Sequence, residues 1–202
     1  GLQQAASAVR EKGELIVTEG YTDVIALHQS GINTAVAPLG TALTDEQIQL
    51  LWRFSREPLL CFDGDAAGER AAVRAAERAL PFLKPGYSLK FSILPAGSDP
   101  DSIIGSKGSE AMREVFSNSI ELSDILWHLE TTSYKLETPE ERSWLESCLN
   151  ARAMSIEDQT VRRYYLNHFR ERLWQRFRKT RSNLNDGRKY QVQDNNQLAE
   201  KS

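Results

Sequence analysis

The chain has 202 residues, of which 40% are hydrophobic and 26% charged, ordinary values for a globular protein with one sizeable core or two modest ones. No apolar run approaches the ~18 residues that cross a bilayer and no leader pattern is present, and a cytoplasmic setting is expected from the two isolated cysteines. The formal charge of −3 taken alone argues against nucleic acid, but residues 161–181 carry Arg162, Arg163, Arg170, Arg172, Arg176, Arg178, Lys179 and Arg181 against the single acid Glu171. A basic end on an acidic body keeps phosphate partners in play.

The sequence starts at Gly1 and opens inside a predicted helix, residues 3–12, so it reads as a fragment of a longer protein. Short β-branched, apolar runs then predict strands at 15–18, 34–37, 59–62 and 89–94, each resembling a buried parallel strand. Helices are predicted between them at 23–29, 44–53 and 66–80. The second opens on Thr44 with Gln47 three residues on, the capping-box spacing, and the third stops at Pro81. This alternation predicts an α/β domain with a mostly parallel central sheet over residues 1–107.

After Lys107 no further strand is predicted. Helices are expected at 109–116, 121–135, 140–149 and 157–179. Thr138, Pro139 and Glu141 mark one helix start, and the Ser155/Asp158 spacing marks the next. The last helix carries Val161, Tyr165, Phe169, Leu173 and Phe177 at a step of four, a stripe to bury. Residues 108–181 therefore read as a small all-helical subdomain, and the polar residues 182–202 as a disordered linker or tail. Cys61 and Cys148 stand alone, with neither a disulfide framework nor zinc-ligand spacing, which suits a reducing compartment. His28, His128 and His168 fall in separate predicted helices and form no ligand set.

The chemistry concentrates in carboxylates. Glu19 directly follows the first predicted strand, Asp63 and Asp65 follow the third, and Asp99 and Asp101 follow the fourth after a Pro-Ala-Gly-Ser turn. In a parallel sheet these positions share one edge, where ligands bind. Packed carboxylates repel and raise one another's pKa values, and a divalent cation relieves that repulsion. Taken singly, Asp63-Gly64-Asp65 is more often a turn, Asp99-Pro100 a helix start, and Asp23 a helix-end charge. Three acidic motifs, each after its own strand, favour a Mg²⁺-type site for phosphate chemistry. Gly64 and Gly20 are expected to let the backbone turn sharply beside the acids. Arg70, Arg74 and Arg78 share a helix face with Glu69 and Glu77 and read as solvated. Among the aromatic residues of the basic end, packing is favoured over base stacking.

The motifs Glu19-Gly20-Tyr21-Thr22-Asp23-Val24, Leu39-Gly40-Thr41-Ala42-Leu43-Thr44, Cys61-Phe62-Asp63-Gly64-Asp65-Ala66-Ala67-Gly68 and Asp99-Pro100-Asp101 resemble the catalytic core of bacterial DNA primases of the DnaG type, which contains a TOPRIM fold. Thr22 and Ser98 depart from that pattern, standing where a bulky apolar residue and an acid are common. The resemblance implies Glu19, Asp63 and Asp65 as catalytic residues and metal ligands, with Asp23, Asp99 and Asp101 extending the metal site. It implies Mg²⁺ or Mn²⁺ as cofactor, with zinc only in an N-terminal domain outside this sequence. It also implies synthesis of RNA primers from ribonucleoside triphosphates on a single-stranded DNA template by a monomer that meets the replicative helicase through a further C-terminal domain. Other readings are a TOPRIM nuclease or topoisomerase, an aspartyl phosphatase with Asp63 as nucleophile, and a non-catalytic nucleic-acid or helicase-binding module.

Overall fold

The computed structural model describes residues 2–38, 43–132 and 135–178. The Leu39-Gly40-Thr41-Ala42 part of the second motif, Lys179, Arg181 and the expected tail at 182–202 lie outside the described residues. The first half runs α1 (Leu2–Lys12), β1 (Ile16–Val17), α2 (Tyr21–Gln29), β2 (Ala35–Val36), α3 (Asp45–Leu51), β3 (Leu59–Phe62), α4 (Ala66–Ala79), a short 3₁₀ turn (Leu80–Phe82) and β4 (Lys90–Ile93). The second half contains α5 (Pro100–Ser117), β5 (Ile120–Glu121), α6 (Leu122–Thr132), α7 (Pro139–Met154) and α8 (residues 159–178).

The five strands form one sheet in the order β2-β1-β3-β4-β5. β1 pairs parallel with both β2 and β3, and β3 pairs parallel with β4 in the register Leu59↔Lys90 to Phe62↔Ile93. Both faces are covered, which is why β1, β2 and β3 are apolar throughout. Leu15, Val17, Leu60, Phe62 and Phe91 face a core shared with α1, α3, α4 and the later helices, while Ile16, Leu59 and Cys61 face α2 and α5 through Leu27, Ile103, Met112 and Phe116. The alternation of strand residues between two cores is the period-two rule of a pleated sheet buried on both sides.

Two helix starts match their sequence signals. The Thr44 hydroxyl accepts from Gln47 N–H at 3.3 Å while Gln47 Oε1 accepts from Thr44 N–H at 2.9 Å. At α7, Thr138 Oγ1 accepts from Glu141 N–H and Glu141 Oε2 accepts from the amides of Thr138 and Glu137. The start of α8 differs from the expectation. Ser155 ends α7, its hydroxyl donating to Arg152 O, and Asp158 alone caps α8 by accepting from Val161 N–H at 2.9 Å. The serine stands on the wrong side of a tight corner to reach the next helix.

The expectation of no strand after Lys107 is corrected by β5, which pairs antiparallel with β4 through Phe91↔Ile120 and Lys90↔Glu121. Two residues cannot display a period, so this edge strand is visible only against its partner. Lys90 Nζ lies 3.7 Å from Glu121 and 3.8 Å from Glu57, clamping the edge. α5 begins at Pro100, the helix start that Asp99-Pro100 signals, and runs into the helix expected at 109–116 across an interruption at Gly108, whose backbone (φ 81°, ψ 175°) is open only to glycine at low cost.

The later helices join the sheet in one core through Leu122, Leu126, Leu145, Leu149, Phe169 and Leu173. Arg152 ties three helices together: Nε donates to Glu130 Oε1 at 2.9 Å and Nη1 to Glu77 Oε1 at 2.5 Å. Glu130 is buried, so removing the guanidinium strands a charge. Arg152→Ala is expected to cost about 2–3 kcal/mol. Chemical denaturation reads this directly, and a loss under about 0.5 kcal/mol shows the triad to be ornamental.

Candidate metal-binding edge

The chain leaves β1 for β2 on one side and returns to β3 on the other, so the carboxyl ends of β1 and β3 flank a topological switch point, where open α/β sheets bind ligands. Glu19 and Asp63 occupy those two ends. They are in direct contact, with Glu19 Oε1 accepting from Asp63 N–H at 3.1 Å. Two residues 44 apart in sequence meet because β1 and β3 pair in parallel with Val17 opposite Leu60.

Asp65 is the N-cap of α4. Its Oδ1 accepts from Ala67 N–H at 2.8 Å and Gly68 N–H at 2.7 Å. Asp99 caps α5, with Oδ1 accepting from Ser102 N–H at 2.7 Å, and Pro100 takes the first helical position. Asp99 thus has the helix-start role that its motif carries on its own, whereas Asp65, read alone as part of a turn, caps a helix as well. A cap occupies one carboxylate oxygen and leaves the other for a further ligand. The helix N-termini also add positive field beneath the acids.

The chain bends at Gly64 as expected, and a second constraint acts there. A Cβ there would stand 1.9 Å from Pro95 O and 2.6 Å from Leu94 O. The glycine is required by close backbone approach, and the loop is laced to its neighbour by Gly64 N–H to Ser98 O at 3.0 Å and Gly97 N–H to Gly64 O at 2.8 Å. Gly20 is extended (φ −109°, ψ 153°) and makes no sharp turn. Its amide donates to Asp23 Oδ2 at 3.2 Å.

Asp23 is buried at 6% exposure, and desolvation pushes its carboxyl up, with Asp99 and Asp101 adding repulsion against the Gly20 hydrogen bond. Asp63 is half-buried and pushed up to about 6, first by desolvation and then by Glu19, Asp23, Asp99 and Asp65. All six acids therefore share one electrostatic neighbourhood. Burial also raises the Cys61 thiol, with Asp63, Asp23 and Glu19 reinforcing it, so it is an inert core group. Among the described residues, no three acidic, imidazole or thiol groups stand close enough to enclose an ion unaided. The edge gathers the acids into one field without closing them into a cage.

The raised Asp63 has a measurable consequence in metal-free protein. A carboxyl whose folded pKa lies above its unfolded value contributes stability that is complete below the unfolded pKa, near 4, and lost as pH rises through about 6. Asp63→Asn removes that loss. Calorimetric melting in EDTA is expected to show the variant gaining on the wild type in Tm between about pH 5 and pH 7.5. Parallel profiles for the two proteins would mean that no repulsion is stored at Asp63.

Arg74 was assigned to a solvated face, and it is exposed, yet it also lines a cavity of about 260 Å³ with Thr18, Glu19, Leu43 and Phe62. Arg78 instead pairs with Asp45 at 3.8 Å. The step of four placed these arginines on one face, but only the fold shows which neighbour each one meets. Tyr165 and Phe169 pack into the core as expected, whereas Tyr164 and Trp174 are 65% and 59% exposed, which corrects the packing assignment for those two rings.

A Toprim domain model matches residues 13–91. A DNA primase of Rickettsia felis is 38% identical over 175 residues, covering 87% of this chain and 29% of that protein. The solved structure of a DnaG catalytic core superposes with a TM-score of 0.75 at 38% identity, covering 85% of this chain and 54% of the other. A DnaG primase catalytic domain bound to ssDNA gives a TM-score of 0.72 at 38% identity, covering 82% and 53%. The chain thus spans about three tenths of the length of the full relative and about half of the solved chains. The five-stranded, mostly parallel sheet with its switch-point acids is a Toprim fold, and over most of its length the chain is homologous to DnaG-type DNA primases.

Proposed function

We propose that this chain forms the acidic half of the catalytic centre of a bacterial DNA primase, which makes RNA primers on single-stranded DNA by metal-dependent nucleotidyl transfer. The observation that carries the reading is the Glu19–Asp63 contact across the switch point, with four further acids in the same field. The donor set is all oxygen, and its open arrangement suits an ion that keeps several waters and completes its shell with substrate phosphates, as Mg²⁺ does. Glu19, Asp63 and Asp65 would hold Mg²⁺ or Mn²⁺, and Asp23, Asp99 and Asp101 would deepen the field. When bound, the ion supplies Lewis acidity to the phosphates.

The chain's own groups have definable parts. Asp63 gives up its proton as the site fills, so its raised pKa makes metal binding pH-dependent. Asp65 is pinned by two amides, which orients its remaining oxygen. Asp23, buried and bonded to Gly20, holds the Glu19–Gly20 corner in place. In the reaction the primer 3′-hydroxyl oxygen bonds to the α-phosphorus of a ribonucleoside triphosphate as its proton passes to solvent, the α–β bridging bond breaks, and pyrophosphate leaves. An aspartyl phosphatase leaves Glu19 without a role, whereas here it grips the Asp63 backbone.

Titration calorimetry of the chain with Mn²⁺ tests the reading. Binding with proton release near pH 6 is expected, lost in Asp63→Asn and Asp65→Asn. Binding that ignores both substitutions would place the metal elsewhere and remove the basis for the catalytic assignment.

A further inference from the structure

Five arginines of α8 divide into two sets. Arg162 donates to the Ile156 carbonyl, and Arg172 pairs with Asp124 while lying 4.6 Å from the Trp127 ring. These two are spent on holding α8 in place. Arg163, Arg170 and Arg178 are exposed and, with Asn167 and Trp174, step along α8 at intervals of three and four. At ~100° per residue that spacing confines them to one narrow stripe, about 22 Å long at ~1.5 Å per residue. Glu171 is the only acid among residues 159–178.

Two rings border the cations. Arg163 lies 5.5 Å from the centroid of the Tyr164 ring and Arg178 lies 4.6 Å from that of Trp174, and both rings are open to solvent. Arg170 donates to Asn167 Oδ1 at 3.3 Å. A merely solvated helix face mixes charge signs and hides large rings. This one presents guanidinium groups in line with exposed aromatic faces, the combination that tracks a phosphate backbone while stacking its bases.

We infer that the outer face of α8 is a second nucleic-acid contact, separate from the acidic edge, that binds single-stranded DNA through Arg163, Arg170 and Arg178 with Tyr164 and Trp174 as stacking platforms. The preference for nucleic acid over an acidic protein rests on the proposed function. The contact needs no metal, because its charges already oppose those of phosphate. It is therefore separable from any phosphate binding at Glu19 and Asp63, which requires an ion to bridge like charges.

The test is fluorescence anisotropy of a labelled oligothymidylate titrated with the 202-residue chain in EDTA at several salt concentrations. Binding is expected, with affinity falling as salt rises. The triple variant R163A/R170A/R178A is expected to bind about tenfold more weakly and to flatten the salt slope by about 2, three lost phosphate contacts at ~0.7 each. Trp174→Ala is expected to weaken binding about fivefold or more at unchanged slope. All four side chains are on the surface, so melting temperatures should not move. If they do, quenching of Trp174 emission by the oligonucleotide in otherwise wild-type protein, absent in Trp174→Phe, reads the contact without disturbing the charges. No binding in EDTA, a triple variant with the wild-type slope, or tighter binding to polyglutamate than to the oligonucleotide overturns the inference. None of these outcomes touches the metal reading, which fails separately if Mn²⁺ does not bind.

Discussion

Under the proposed function, Asp63→Asn or Asp65→Asn in the full-length protein is expected to lower primer synthesis by about 10²–10³-fold or more while leaving the protein folded. The size follows from what each carboxylate does. Asp63 lies where desolvation and four neighbouring acids already press on its charge, so it gains most from a divalent ion and gives that ion most in return. Asparagine keeps the shape and loses the charge. The Asp63 amide that Glu19 accepts from is backbone and survives the change, so the corner stays assembled. At Asp65 the amide oxygen of asparagine still caps α4, because an N-cap needs only an acceptor for Ala67 and Gly68 N–H. Asp65→Asn should thus melt near the wild-type temperature and metal-free Asp63→Asn at or above it, so both separate catalysis from folding. Near-normal primer yield from either one would refute its assignment as a ligand.

Gly64→Ala should damage structure and site together, with a cost of about 3 kcal/mol or more and loss of Mn²⁺ binding. The added methyl would meet Pro95 O at 1.9 Å and Leu94 O at 2.6 Å, and both are backbone atoms. No rotamer change relieves such a clash. Either the Asp63–Asp65 loop or the Pro95–Ser98 turn has to withdraw, breaking the bonds between Gly64 and Ser98 and between Gly97 and Gly64. That withdrawal separates Asp63 and Asp65 from Asp99, which follows the Pro95–Ser98 turn. Gly68→Ala is a companion test, since its Cβ would lie 2.2 Å from Asp63 O where α4 docks on the same loop. A Gly64→Ala protein with wild-type stability and metal affinity would show that the two loops are not locked.

Much of the framework was legible before any coordinates. β3 at Leu59–Phe62 has the predicted bounds, and the hydrogen bonding of β1 reaches Leu15 and Thr18 at the predicted ends of that strand. The starts of α3 and α7 follow from Thr44/Gln47 and Thr138/Glu141. These are local signals: a run of four apolar residues or a cap three positions from its partner carries its own physical reason. The burial of Phe169 and Leu173 follows in the same way, from a periodic stripe on one helix.

Features that depend on a distant partner were not legible. β5 is two residues long and exists because β4 offers it an edge. Gly64 reads as a flexible turn until Pro95 arrives above it. Tyr164 and Trp174 look like further members of a packed aromatic helix until the core side of α8 is known. The acids show the division most clearly. Their positions after the first, third and fourth strands were written in the sequence and sufficed to group them at one edge. Tertiary structure alone decided that Glu19 closes on the Asp63 amide, that Asp65 caps α4 beneath the site, and that Asp23, which reads as a helix-end charge, is buried among its fellow carboxylates. Sequence order assigns residues to an edge through strand direction, but their distances and burial are set by which strands pair and how closely two loops can pass.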